Sequence, residues 1–399
     1  MTALTVPAGI DHAAVTQLLA ELIEIPSVNP AYDAASPGEN MLGDAVGELC
    51  RSFGCTVTTT DVVDGRRNTL ARLTSATSEK SLLIEAHLDT VSLPTARTND
   101  RQLDMSRAEV RGDRMYGRGA CDVKGGLTAA LLAMQQLAAQ PLRSLDVVLL
   151  GAIDEEYQFR GVTSYIAEHL TDQHGPNAAI VLEPTQLQVV HEHHGVLRVE
   201  IGITGRAAHT SRPEEGRNAI LGALRVIDHL EAWNDRSGGR IMAVTTVSGG
   251  TAINIVPESC AFGVDLRVLP WEDPHEVLAT MVEEINDRAG DGLSVTVTQL
   301  LLDAGMATPA QTPIVRAALR SGGEDEAPAR VPFGTDGSKL ARAGVPTIVF
   351  GPGSIDQAHA DDEWVDLRDV TMAAERIVAI ARSLDAEDLH APITSSGAP

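Results

Sequence analysis

The chain has 399 residues, with 31 Lys plus Arg against 55 Asp plus Glu and a formal charge of −24. Such an acidic excess, with only five Phe, four Tyr and three Trp, excludes a surface for phosphate backbones, anionic lipid or stacked bases, so neither nucleic acid nor membrane is expected as a partner. At 43% hydrophobic and 22% charged residues, the composition is that of a folded globular protein with room for two or three domains. No apolar run reaches the ~18–20 residues of a membrane span, and residues 1–15 lack a basic region followed by an apolar stretch. Cys50, Cys55, Cys121 and Cys260 show no CxxC spacing. The expectation is a cytoplasmic protein with four structural thiols.

In chain order, the apolar run 82–87 predicts a buried strand, and 126–139, rich in Ala, Leu and Met after two glycines, predicts a helix. A buried strand at 147–153, a helix at 162–169 and another strand at 178–182 follow. That alternation implies an α/β fold with a parallel sheet covered on both faces. From Val196 the texture changes. Strands are expected at 197–204, 241–248, 261–269 and 294–300, with helices at 214–233 and 274–289, which together make an α+β unit of βαββαβ order. A buried strand at 345–350 and a helix at 370–384 then return to the earlier style. The simplest organisation is one α/β domain in two parts, 1–194 and 304–399, interrupted by the α+β insert 195–303. Gly195 and the stretch 303–313 mark its seams. Residues 321–329 read as a Gly-rich and acidic loop, and 385–399 as a polar tail.

Acids and imidazoles follow the strand signals of the divided domain. His87 and Asp89 end the first strand, two apart and on one side of an extended segment. His87 is read as a metal ligand and Asp89 as the carboxylate that orients its ring. Asp122 lies in the glycine-rich run 117–126, which lacks both the GKS/GKT ending and the GxGxxG spacing of phosphate loops. It is read as an acid bridging two cations. Asp154, Glu155 and Glu156 follow the strand 147–153; three adjacent acids suit a divalent cation, with one free to move protons. Glu183 ends the strand 178–182, and His359 supplies a second imidazole beyond 345–350. Each signal alone also fits a solvated turn. Together, two His and three carboxylates form a nitrogen and oxygen donor set for two divalent cations, zinc above all, with cobalt or manganese as alternatives.

The segments HLDT at 87–90, GRGACDVKGG at 117–126, DEE at 154–156, LEPT at 182–185, GRAAHTSRPEEGRNAI at 205–220 and GPGSIDQAHADDEW at 351–364 resemble one family. It is the dinuclear zinc aminoacylase and carboxypeptidase family, which includes acetylornithine deacetylase, succinyl-diaminopimelate desuccinylase and glutamate carboxypeptidase. The resemblance implies a zinc-peptidase-like catalytic domain in which His87, Asp122 and Glu183 hold one zinc and Asp122, Glu156 and His359 the other. It also implies Glu155 as general base and acid, with Asp89 supporting His87. The insert becomes a lid and dimerisation domain of a homodimer. His209 then reaches the partner subunit's active site, Asn254 lies near the same oxyanion, and Arg267 binds the substrate carboxylate; read without the family, Arg267 is a strand arginine paired with Asp265. LEPTQLQVVHEHHG, DLRVLP and GPGSIDQAH are most similar to acetylornithine deacetylase, whereas GTDGS at 334–338 is nearer the desuccinylase and aminoacylase patterns. The expected activity is removal of a small acyl group from a small-molecule N-acyl-L-amino acid. A desuccinylase or carboxypeptidase on the same machinery is the alternative, and a non-catalytic metal-binding protein a remote one.

Overall fold

The computed structural model describes residues 4, 9–94, 103–170, 175–235, 239–323, 326–387 and 389. It forms two compact units: Met1–His191 with Thr308–Arg330 and Thr335–Pro399, and Glu192–Ala307 with Val331–Gly334.

In the first unit the strands Leu145–Ala152, Lys80–His87, Ala178–Val181 and Thr347–Val349 lie side by side in that order, each parallel to the next. Leu145–Ala152 is buried at every position, the pattern of a strand covered on both faces. Alternate residues Leu82, Ile84, Ala86, Val147 and Leu149 share one core with the helices His12–Ile23, Lys124–Ala139 and Leu367–Ala386. Helices Arg160–His169 and Gly337–Arg342 pack on each other and on the same sheet.

The sheet is mixed, not wholly parallel as the alternation of elements implied. A hairpin of Thr56–Val63 and Arg66–Leu73 adds antiparallel to Leu145–Ala152, and Val190 pairs antiparallel with Val349. Asp64 and Gly65 both have positive φ, which a tight hairpin turn requires. The hairpin's many Thr and Arg residues hide it from a search for apolar runs. Among the described residues, no helix is long and apolar enough to cross a membrane.

The second unit is a four-stranded antiparallel sheet in the order Ile241–Gly249, Ser259–Val268, Gly195–Thr204, Ser294–Asp303. The helices Ala219–Glu231 and Pro274–Asn286 complete one core with it. The first of these helices starts later than its sequence suggests. Pro213–Glu215 closes a separate 3₁₀ turn, and Asn218 caps the helix by accepting from the Leu221 N–H at 3.2 Å.

The unit runs past Gly195 and Asp303, since Glu192 and His193 pair with Ala307 and Met306. The His194 N–H donates to the Val331 carbonyl at 3.1 Å, which brings in 331–334. Asp385 belongs to the final helix instead of the polar tail. Residues 388 and 390–399 of that tail, 324–325 of the acidic loop and 1–3 and 5–8 of the N-terminal segment lie outside the described residues.

Candidate metal centre

Parallel strands gather ligands at their carboxyl ends, and His87 sits there on Lys80–His87. Its Nε2 lies 2.9 Å from Asp122 Oδ1, and its Nδ1 lies 2.9 Å from the backbone carbonyl of Asp89. A carbonyl only accepts, so Nδ1 carries a proton, and Nε2, which hydrogen-bonds Asp122, is the nitrogen left to face a cation. His359 Nε2 stands 3.3 Å from the other Asp122 oxygen and 3.0 Å from Glu156 Oε2. The structure therefore brings together two sets of donors, His87, Asp122 and Glu183, and Asp122, Glu156 and His359. Within each set the donor atoms lie within 4.8 Å of one another. Asp122 belongs to both, which is the arrangement a bridging carboxylate needs.

The charges fit divalent cations. Burial first, then repulsion from Asp122, pushes Glu156 up to about 7 and raises Glu183 well above the usual carboxylate range. Glu155 is also raised, by burial and by Asp336, Glu156 and Asp122, against the lowering pull of His87. Hydrogen bonds to Asp122 and Glu156 push His359 up to about 10. Burial opposes ionisation of Asp122, but its bonds to His359 and His87 outweigh this and hold it low. The carboxylates of Asp122, Glu155, Glu156 and Glu183 carry four negative charges when ionised, which two divalent cations balance. Imidazole nitrogen and carboxylate oxygen are donors for first-row divalent metals.

Asp89 does something other than orient His87 through its carboxylate. Its Oδ1 is 3.8 Å from His87 Nδ1, while the ring's bond goes to its backbone carbonyl. The carboxylate accepts instead from the Glu155 and Glu156 N–H groups, both at 3.1 Å, and from Asn29 Nδ2 at 2.8 Å. Asn29 also donates to Asp154 at 2.9 Å, and Arg66 and Arg160 pair with Asp154. Asp154 has φ +66° and turns into this network, while the next-but-one residue, Glu156, reaches His359.

Glu363, 1% exposed, cradles the glycine-rich loop. Its two oxygens accept from the Gly119, Cys121 and Asp122 N–H groups at 2.9–3.0 Å and from Arg118 at 2.7 Å. Sequence reasoning missed Asn29, Arg66 and Glu363 as supports. Of these only Glu363 stood in a segment singled out, close after His359.

The other candidates lie in the second unit. His209 is on the short strand Ala208–His209 opposite Ile255, exposed, with Nδ1 2.9 Å from Ser211 Oγ. The Asn254 carbonyl accepts from the Thr210 N–H at 3.1 Å. Thr210 and Ile253 line a cleft of about 630 Å³ beside them. Arg267 pairs through Nε with Asp265 at 3.1 Å, and Asp265 also accepts from Arg198 at 2.7 Å.

A divided α/β unit with paired donor sets sharing one aspartate, interrupted by an α+β unit, defines a class of metal-dependent hydrolases. The chain belongs to Peptidase family M20/M25/M40, whose pattern it matches over residues 83–383. It is 32% identical over 321 residues to acetylornithine deacetylase of Myxococcus xanthus, covering 77% of this chain and 80% of that one. A Mycobacterium tuberculosis protein bearing the name succinyl-diaminopimelate desuccinylase DapE is 28% identical over 371 residues, covering 90% and 95%. Among solved structures, a tripeptidase from Staphylococcus aureus superposes with a TM-score of 0.77 at 20% identity, covering 94% of this chain and 99% of that one. A dinuclear metal-binding peptidase of Bacillus subtilis gives 0.71 at 17% identity, covering 94% and 98%.

Proposed function

We propose that the protein is a cytoplasmic, dinuclear zinc amidohydrolase that removes a small acyl group, acetyl or formyl before succinyl, from N-acyl-L-amino acids. The observation that carries this reading is the pair of donor sets meeting at Asp122 with Glu155 beside them. Cations held by His87, Asp122 and Glu183 and by Asp122, Glu156 and His359 would supply Lewis acidity and water of lowered pKa. Glu155 takes the proton from the attacking water on a carboxylate oxygen and delivers it to the departing amine nitrogen. Asp89 holds the Glu155 backbone in place for this.

On the same reading, the subunits pair through the second unit. His209 then donates to the developing oxyanion in the partner subunit's site, with Asn254 beside it, and Arg267 forks onto the substrate α-carboxylate. The edge strand Ile241–Gly249 supports that pairing: it is mostly exposed, and Val247, Leu221 and Leu224 present apolar surface nearby in the same unit. The four thiols are free, as a reducing compartment keeps them.

A non-catalytic binder has no use for the half-buried acid Glu155 beside the donors. The desuccinylase reading keeps the support of the Mycobacterium tuberculosis relative, and Arg206, Arg212 and Arg217 are basic groups that could meet a second carboxylate.

Comparing kcat/KM for N-acetyl-L-ornithine, N-acetyl-L-methionine, N-succinyl-diaminopimelate and a glutamate-terminated peptide, with zinc or cobalt added, tests the proposal. The acetylated amino acids should lead. A clear preference for either of the other two rejects the small-acyl reading and leaves the metal chemistry standing.

A further inference from the structure

The helix Asn40–Ser52 ends in a Schellman turn. The Gly54 N–H donates to the Arg51 carbonyl at 3.0 Å, and the Cys55 N–H donates to the Cys50 carbonyl at 3.1 Å. Gly54 has φ +87°, the left-handed conformation this ending requires. Such a turn brings the side chains at the ends of its longer bond together, usually as an apolar contact. Here both ends are cysteines. Their relative exposures are 0% and 7%.

The turn is held from both sides. Gly43 and Gly47 let the helix rest directly on the hairpin: a Cβ on Gly43 would stand 2.7 Å from Thr69 Oγ1, and one on Gly47 would stand 3.2 Å from Val57 Cγ1. Cys55 leads straight into the strand Thr56–Val63. Neither thiol belongs to the donor sets around Asp122.

We propose that Cys50 and Cys55 are an oxidation site that hydroperoxides convert to a disulfide. The Cys55 thiolate attacks one oxygen of the hydroperoxide, the O–O bond breaks, and the alcohol or water leaves with the Cys55 proton. Cys55 becomes a sulfenic acid. The Cys50 sulfur then attacks the Cys55 sulfur, the S–S bond forms as the S–O bond breaks, and water leaves with the Cys50 proton. Two thiols supply the two electrons that reduce the hydroperoxide.

The order of attack follows from the surroundings of each thiol. Cys55 keeps 7% of its surface open to solvent and Cys50 none, so a hydroperoxide reaches the Cys55 sulfur first and Cys50 resolves it. Burial raises Cys121 and Cys260.

The test uses the full-length protein with its metals bound. It is exposed to a small excess of hydrogen peroxide, unfolded in an alkylating reagent, cut with trypsin and weighed by mass spectrometry. Arg51 lies between the two cysteines, so the reduced protein yields two separate alkylated peptides. The oxidised protein should yield one linked pair that a reductant splits, with Cys121 and Cys260 alkylated throughout. Cys50→Ser should give no linked pair and a Cys55 sulfenic acid that dimedone captures, whereas Cys55→Ser should leave Cys50 alkylatable. Two results overturn the proposal: oxidation of Cys121 or Cys260 while Cys50 and Cys55 stay alkylatable, or wild-type Cys55 passing to sulfinic acid with no linked pair formed.

Discussion

Glu155 and Glu156 are adjacent, yet only Glu156 reaches His359, at 3.0 Å. Their substitutions should therefore separate. Glu155→Gln removes a proton carrier and should lower kcat by about 10²–10⁴-fold with both metals retained. Glu156→Ala removes a ligand, and elemental analysis should show one metal lost or weakly held. Metal loss in Glu155→Gln that accounts for its inactivity would refute this division. Glu363 gives a third case. Glu363→Ala removes the acceptor of three loop N–H groups and leaves Arg118 buried without its carboxylate. A loss of about 3–5 kcal/mol in denaturant unfolding is expected. Metal affinity should fall by about 10–100-fold.

The donors themselves were legible because each stands just past a buried apolar strand or in a loop whose glycines allow close approach. Their supports were not. Asn29 acts on residues 60 and 125 positions away, and no local spacing records such a meeting. Asp89 was noticed for its carboxylate, but His87 uses its carbonyl, a group every residue carries.

At the scale of elements, two aspartates pin strand and helix ends. Asp146, 1% exposed, accepts from the Ser75 N–H at 2.7 Å, from the Ser75 and Ser78 hydroxyls and from Arg72. Asp385 accepts from three successive backbone N–H groups, those of Arg143, Ser144 and Leu145, at 2.7–2.9 Å. Burial alone would raise both, but these donors outweigh it and hold both below the ordinary carboxylate value. A carboxyl lowered on folding contributes stability that is complete above its unfolded value, near pH ~4. That contribution is lost as the pH falls through the folded value. Asp146→Asn and Asp385→Asn should each cost about 1.5–3 kcal/mol at neutral pH. Urea unfolding across pH should show the difference from wild type shrinking toward acid; a constant difference would mean that the bonds, not the charge, matter. Elements with apolar periodicity were readable along the chain, including the βαββαβ order of the second unit. The half-polar hairpin 56–73 was not, because its burial depends on the helix Asn40–Ser52 that lies across it.

At the scale of the whole molecule, chelation should abolish activity and lower the melting temperature, with recovery on adding zinc or cobalt. A metal at one hundred times its Kd stabilises by ~2.7 kcal/mol. Unchanged melting after complete metal removal would argue that the donors are already satisfied without cations. Action across a dimer has its own signature. His209→Ala and Glu155→Gln subunits, mixed equally and allowed to exchange, should regain about a quarter of the wild-type sites, since each mixed dimer assembles one intact site. No recovery despite demonstrated exchange excludes action in trans.

The strand Thr347–Val349 occupies the slot between Ala178–Val181 and Val190–His193. On the ribosome, that slot has no occupant until the entire second unit has been made. His87, Asp122 and Glu183 are by then long synthesised, and His359 comes only ten residues after Val349. Between the synthesis of Glu183 and that of His359, growing chains thus carry one donor set complete and the other lacking a member. The sheet exposes two unpaired strand flanks during the same interval, when aggregation is most readily seeded. Closing the sheet and completing the second donor set are late events that fall together, so a chain stopped before residue 347 should be both insoluble and unable to bind its second metal.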